Sequence, residues 1–365
     1  MMLASLASLT ALSSTASATD LAGRLQAVLR RDMAQYHLRS VLFGAWIGER
    51  EVLTTALGQS LWCEPASLAM HFRAAVVTTT YLCALLLHLV DRGRLRLEDS
   101  LANWLPDLPK ARQVTLRMLA DNSSGYGDYL ASKPFEGFTR KALLRHWTAD
   151  ELIWLGTELP RAFPPGTGFH YSHTNAVILG EALMRVTGTP LPKLLHQAFL
   201  GPLGLHDTEY PDSTAIRRPV LRAFSSEFGT YEDCTYWDPA WVSHSGLMNS
   251  NLYDVARWTR LLGSGAILSK RSYAALTAPT NVGRNGNTAD LYYGLGVLIA
   301  NGWITQNGRY FGWNPVIAYL PSRRITIVID TTAGPKAEDV SNGLRILKHV
   351  IEIMTPGQPL PERYG

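Results

Sequence analysis

The sequence predicts an α+β fold: one antiparallel sheet flanked by helices, with a mostly helical lobe inserted into it. Three observations carry that prediction. Stretches rich in β-branched and aromatic residues lie near both ends of the chain, at 40–57 and 291–329. The long middle shows helical periodicity and frequent prolines instead. Helical patterns flank both strand-rich ends. A sheet drawn from both ends, with helices against it, gives every apolar face a partner.

From Asp20, residues Leu21, Leu25, Val28 and Leu29 recur at i, i+4, i+7 and i+8 and make one apolar stripe. Residues 40–48 (SVLFGAWIG) and 52–57 read as two strands about the turn Glu49-Arg50-Glu51. The apolar run 76–91 predicts a core helix stopped by Gly93. Pro106, Pro109, Pro134, Pro160, Pro164 and Pro165 punctuate the middle. Further helices are expected over 175–186, closed by Gly188, and over 251–262. Residues 291–300, 316–320 and 325–329 read as strands, with turns at Asn307-Gly308 and Pro321, and 340–353 as a closing helix. The chain thus divides into residues 1–19, a leader or tail; 20–72 with 285–355, a discontinuous α/β lobe; and 73–284, a mostly helical lobe. With no internal repeat or low-complexity linker, the two lobes are expected to share an interface.

The 365 residues are 46% hydrophobic and 18% charged, an ordinary globular composition. Net charge is +4, but Lys and Arg are scattered, so no nucleic-acid partner is expected. No stretch reaches the roughly 18–20 apolar residues of a membrane span. Residues 1–18 carry no charged side chain, and Ala16-Ser17-Ala18 resembles a signal-peptidase site although a basic n-region is missing. Export is favoured over a disordered tail or a misplaced start. Cys63, Cys83 and Cys234 are too few and too odd in number for a disulfide framework; Cys83, inside an apolar run, reads as a buried thiol, and one disulfide stays open. There is no Gly-x-Ser-x-Gly elbow, phosphate loop or dinucleotide fingerprint, so no cofactor is expected. His170 and His173 lack the further ligands that a metal site needs. Oligomeric state is not legible.

Four segments resemble landmarks of one known family. LVDRGRLRLEDSLANWLPDLP (residues 89–109) looks like the segment after the catalytic helix of class C β-lactamases, D,D-peptidases and related esterases. TLRMLADNSSG (115–125) is similar to that family's "TIRQLLTHTSG", PPGTGFHYSHTNAVILGEALMRVTG (164–188) to the segment around its Tyr-x-Asn motif, and GLMNSNLYDVARW (246–258) to a later landmark. The order holds from about residue 72 to 329. The resemblance implies the β-lactamase/transpeptidase-like fold. It also implies a mechanism: a serine at a helix start attacks a carbonyl, and a lysine one turn later takes the proton. A tyrosine of the second motif assists, and a third motif on a sheet-edge strand faces the substrate.

The polar positions depart from that pattern. Phe72-Arg73-Ala74-Ala75-Val76-Val77-Thr78-Thr79 stands where the family has "FRIGSVTK", so Val76 holds the nucleophile position and Thr79 the lysine position. Valine has no nucleophilic atom, and threonine has no basic site near neutrality. In Tyr171-Ser172-His173 the tyrosine is kept and His173 replaces asparagine. The family's "HxG" is read onto Tyr310-Phe311-Gly312, and the histidine of the second landmark becomes Asn122.

Three functions follow as expectations. The first is a pseudoenzyme whose cleft binds a small-molecule or peptidoglycan-like ligand, with Asn122, Ser123, Tyr310 and Trp313 as candidate contacts. A second is an enzyme repurposed for non-covalent acid/base chemistry, with Tyr171 and His173 as the catalytic pair. Last comes a residual hydrolase (esterase, β-lactamase or D,D-peptidase type) with an unusual nucleophile. Thr78, Thr79 and Thr80 are expected to start their helix, and Asp121 and Asp128 to act as turn and cap residues.

Overall fold

The structure is a computed structural model and describes residues 4–138 and 140–364. The side chains of residues 1–19 lie outside that description, and so does the leader expected over 1–18. Helix α1 spans Ala4–Gln35, starting well before Asp20. The predicted stripe does face inward: Leu25, Val28 and Leu29 pack with the closing helix Asn342–Met354 on one face of the sheet. Buried Asp32 ties the two helices together through His349 Nδ1 at 2.7 Å.

One eight-stranded antiparallel sheet joins the chain's two ends. Strand β1 (Leu38–Ile47) pairs with β2 (Arg50–Leu61) on one side and with Ile325–Ala333 on the other. The short β3 (Glu64–Pro65) borders β2. Beyond Ile325–Ala333 follow Val316–Leu320, Trp303–Asn307, Leu298–Ala300 and Leu291–Tyr293. Both faces are buried, so β1 alternates between two cores: Val41, Phe43 and Ala45 face the terminal helices, Leu42 and Trp46 the helical lobe.

Helix α2 (Thr78–Asp91) runs through the middle of the second core, with every side chain from Thr78 to Leu87 buried. A helix apolar on all sides belongs in an interior. Tyr81 stacks on Trp258 of the helix Leu252–Gly263, with ring centroids 3.8 Å apart.

The structure departs from the expected strands in two places. Residues 291–300 form two strands, bent where Gly296 takes φ +70°. A Cβ on Gly296 would lie 2.6 Å from Cys83 Sγ, so glycine serves both the turn and the close approach to α2. The strand Trp303–Asn307 was not expected. Its signal is Asn301-Gly302, both at positive φ as in a tight hairpin and several residues before the expected turn at Asn307-Gly308. The three cysteines are unpaired: Cys63 is exposed, and burial pushes the Cys83 thiol up to about 12.

Asp330 sits fully buried on the strand Ile325–Ala333, with Oδ1 accepting from Asn314 N–H at 3.2 Å and Oδ2 unpartnered. Burial raises its carboxyl well above the ordinary carboxylate range. The folded state therefore holds a proton that the unfolded chain releases, and stability falls as pH rises above that range. Asp330→Asn, which has no proton to lose, is expected to remove part of the decline in stability between about pH 5 and about pH 8. Urea unfolding of both proteins at the two pH values checks this.

Candidate functional site

The site forms at the start of α2. Phe72–Arg73 pairs with Asn249–Ser250, and Ala74 N–H donates to Met248 O at 2.8 Å, which locks the entering strand. Ala75 then takes φ +47°, a conformation costing a non-glycine residue about 1 kcal/mol or more, and a 3₁₀ turn, Ala75–Val77, leads into the helix. Each threonine of the first turn is engaged, as expected for helix-starting residues. Thr78 Oγ1 accepts from Met248 N–H at 3.2 Å. Thr79 Oγ1 donates to Val76 O at 2.8 Å, and Thr80 Oγ1 donates to Val77 O at 2.7 Å while accepting from the Trp258 indole at 2.8 Å. None touches a base.

Opposite the helix start runs Trp303–Asn307. Gln306 Nε2 donates to Gly296 O at 3.0 Å and lies 3.3 Å from Thr79 Oγ1. The Tyr293 hydroxyl hydrogen-bonds within the same group, to Gln306, Thr79 and Asn122, and burial raises its pKa. A neutral amide and phenol thus surround the side chain at the expected lysine position. Gly308 lies closest to the helix: a Cβ there would stand 2.6 Å from both Val76 N and Ala75 Cβ.

The residues expected to face the helix from the third motif lie elsewhere. A Cβ on Gly312 would meet the Phe224 backbone, 2.5 Å from its oxygen. Tyr310 borders the cavity but is only 1% exposed, its ring stacked on Trp241 with centroids 5.5 Å apart. Trp313 is a correction: it is fully buried, its indole donates to Leu221 O at 3.1 Å, and it does not line the cavity beside the helix start. Ser123 is another, buried with its hydroxyl on Asp121 at 2.6 Å. Asn122, at φ +61°, is a bracket: its Oδ1 accepts from Ser172 N–H at 3.1 Å and from Asn175 Nδ2 at 2.8 Å.

Tyr171 and His173 meet at the mouth of the helix His173–Thr187. Their rings stand edge to face, centroids 5.2 Å apart, with no hydrogen bond between them. Burial raises the Tyr171 phenol well above its usual value, so it stays protonated. The partner of His173 is Asp128: His173 Nδ1 lies 2.9 Å from Oδ2, while Oδ1 accepts from Leu130 N–H at 3.2 Å. Burial opposes the Asp128 charge, but His173 and the surrounding hydrogen bonds outweigh it and lower its pKa. Asp128 is thus the cap that was expected and also holds an imidazole.

These groups border one cavity of about 770 Å³, a size suited to a drug-sized molecule. Val76, Tyr171, His173, Tyr293 and Gln306 line its inner part, with Trp241 and Phe311 as apolar wall. Among the described residues lining it there is no lysine, and the one arginine, Arg309, pairs with Asp339 at 2.6 Å.

A family description, Beta-lactamase, matches residues 25–351. The chain belongs to the beta-lactamase family. Penicillin-binding protein 4* of Bacillus subtilis (strain 168) is 25% identical over 313 residues, covering 80% of this chain and 67% of that protein. Esterase EstB of Burkholderia gladioli is 31% identical over 218 residues, 56% of this chain and 55% of the esterase. The chain therefore spans about half to two thirds of these relatives' length. Among solved structures, a D-stereospecific amidohydrolase from Streptomyces sp. superposes with a TM-score of 0.79 at 23% identity, covering 91% of this chain and 97% of that one. That likeness establishes the shared fold.

Within this beta-lactamase-family chain, sequence reasoning missed three site residues. Asp128 lies 45 residues from His173 with no local signal of the pairing. Tyr293 lies in the expected strand 291–300 but was not singled out, and Gln306 lies in the strand that was not expected. Gly308→Ala is expected to destabilise the fold by about 1–3 kcal/mol, since its Cβ would overlap the backbone of the helix start and the neighbouring methyl group. A shift of the urea midpoint with an unchanged slope would bear this out.

Proposed function

We propose that this member of a hydrolase family keeps its cleft as a non-covalent small-molecule site and forms no acyl-enzyme, making it a pseudoenzyme with respect to serine chemistry. One observation carries the reading: an open cavity stands in front of a helix start that presents Val76, with the Thr79 hydroxyl one turn on donating to Val76 O. Nucleophilic catalysis needs an activated hydroxyl or thiol beside a base. The three threonines are engaged without one, which weighs against an unusual nucleophile among them. The third-motif role is reassigned from Tyr310-Phe311-Gly312 to Gln306-Asn307-Gly308, because the latter lies against Ala75 and Val76.

A cleft closed by Val76 and its neighbours would have favoured a scaffold. A cavity bordered by Tyr171, His173 and Tyr310 favours a ligand. The aromatic wall selects an apolar body, and the protonated phenol of Tyr171 supplies a hydrogen-bond donor for its polar end. An acyl compound fits this lining better than a highly polar peptidoglycan fragment. A second reading, non-covalent catalysis, is favoured by the His173–Asp128 pair.

The neutral fluorophore N-phenylnaphthylamine tests occupancy. Saturable binding to the folded protein is expected, with Val76→Trp, which fills the inner cavity, weakening it about tenfold or more. Binding that this substitution leaves unchanged, or no binding at all, would contradict the proposal.

A further inference from the structure

We infer that the His173–Asp128 pair is a general base that activates water for direct attack on a carboxylic ester lying in this cavity. The inference rests on the cavity being a non-covalent ligand site, and it adds a catalytic role that the loss of the serine and lysine does not remove.

The geometry sets the tautomer. Asp128 holds its charge, accepting from Leu130 N–H at Oδ1 and from the backbone and side chain of His173. An ionised carboxylate 2.9 Å from Nδ1 keeps the proton on that nitrogen. Nε2 then carries the lone pair. It has no protein partner, it is not sealed from solvent, and the ring lines the cavity that Val76 also lines. A carboxylate orienting an imidazole so that its far nitrogen is basic is the working half of a hydrolytic triad. Val76, which lines the same cavity, carries no hydroxyl, so the proton Nε2 removes comes from a bound molecule, and water is the simplest donor.

The step balances without a co-reactant. The water oxygen forms a bond to the ester carbonyl carbon as Nε2 takes its proton, and the carbonyl π pair moves to oxygen. Collapse of that intermediate breaks the bond to the leaving alkoxide, which receives the proton back from Nε2. Ester and water become acid and alcohol, and no bond to the protein forms. The apolar wall of Trp241 and Phe311 favours an ester with an apolar acyl chain. Titratable groups packed about His173 are Asp128, Tyr129 and Tyr171; both phenols are held protonated by burial, which leaves Asp128 as the charge that faces the imidazole. Asp128 is a positioning residue and His173 the catalytic one.

Hydrolysis of p-nitrophenyl butyrate by the full chain tests this. Turnover without a pre-steady-state burst is expected, with a rate that falls on acidification. His173→Ala should lower kcat/KM about 10²–10⁴-fold, with partial rescue by added imidazole. Asp128→Asn should lower kcat while leaving KM unchanged, a split that a merely structural role would not produce. Activity that His173→Ala retains, or an absence of turnover, overturns the inference. Fluorophore binding measured on the same preparations separates the outcomes: binding without turnover overturns the base alone, whereas loss of binding overturns the ligand site beneath it. A burst of one product equivalent overturns both.

Discussion

Helix α2 is apolar on every side, and that single constraint organises the molecule. From Thr78 to Leu87 no side chain of it reaches water, so the sheet, the helix Leu252–Gly263 and the helical lobe close around it. A helix held from all directions has a fixed starting point. Around that point the backbone accepts a positive φ at Ala75, and glycines at 296 and 308 permit approaches that a Cβ would block. The cleft inherits its position from the packing of a helix whose own side chains contribute little chemistry to it.

The polar chemistry of the cleft is internally consistent. A buried ammonium at position 79 would need compensating charge or hydrogen bonds. Thr79, Tyr293 and Gln306 instead form a neutral group whose hydroxyls and amide satisfy one another. The His173–Asp128 pair borders the same cavity, its carboxylate held by backbone N–H groups as well as by the imidazole.

Much of the fold was legible in residue patterns, because periodicity reports burial directly. The stripe Leu25, Val28 and Leu29, the apolar run of α2 and the β-branched strands at both ends each meet the core they implied. Short polar strands were less legible: Trp303–Asn307 is five residues long, and three of them are Thr, Gln and Asn. That gap carried into the site. Without the strand, the third motif was read onto Tyr310 and Gly312, four residues beyond Gln306 and Gly308, which lie beside the helix. Tyr171, His173, Val76 and Thr79 were placed by motif, yet the partner of His173 depends on a contact 45 residues away that no local pattern encodes. Trp313 and Ser123 read as cleft residues because aromatic and hydroxyl side chains near a motif look functional; their burial shows them to be packing and turn residues.

The central claim is that a beta-lactamase fold survives here without a covalent nucleophile. Intact-protein mass spectrometry after incubation with a fluorescent penicillin, and separately with a fluorophosphonate, tests it most directly. The account predicts an unchanged mass with both reagents for protein whose circular dichroism shows it to be folded. A stoichiometric adduct with either would mean that a hydroxyl in this cleft is activated and would contradict the account.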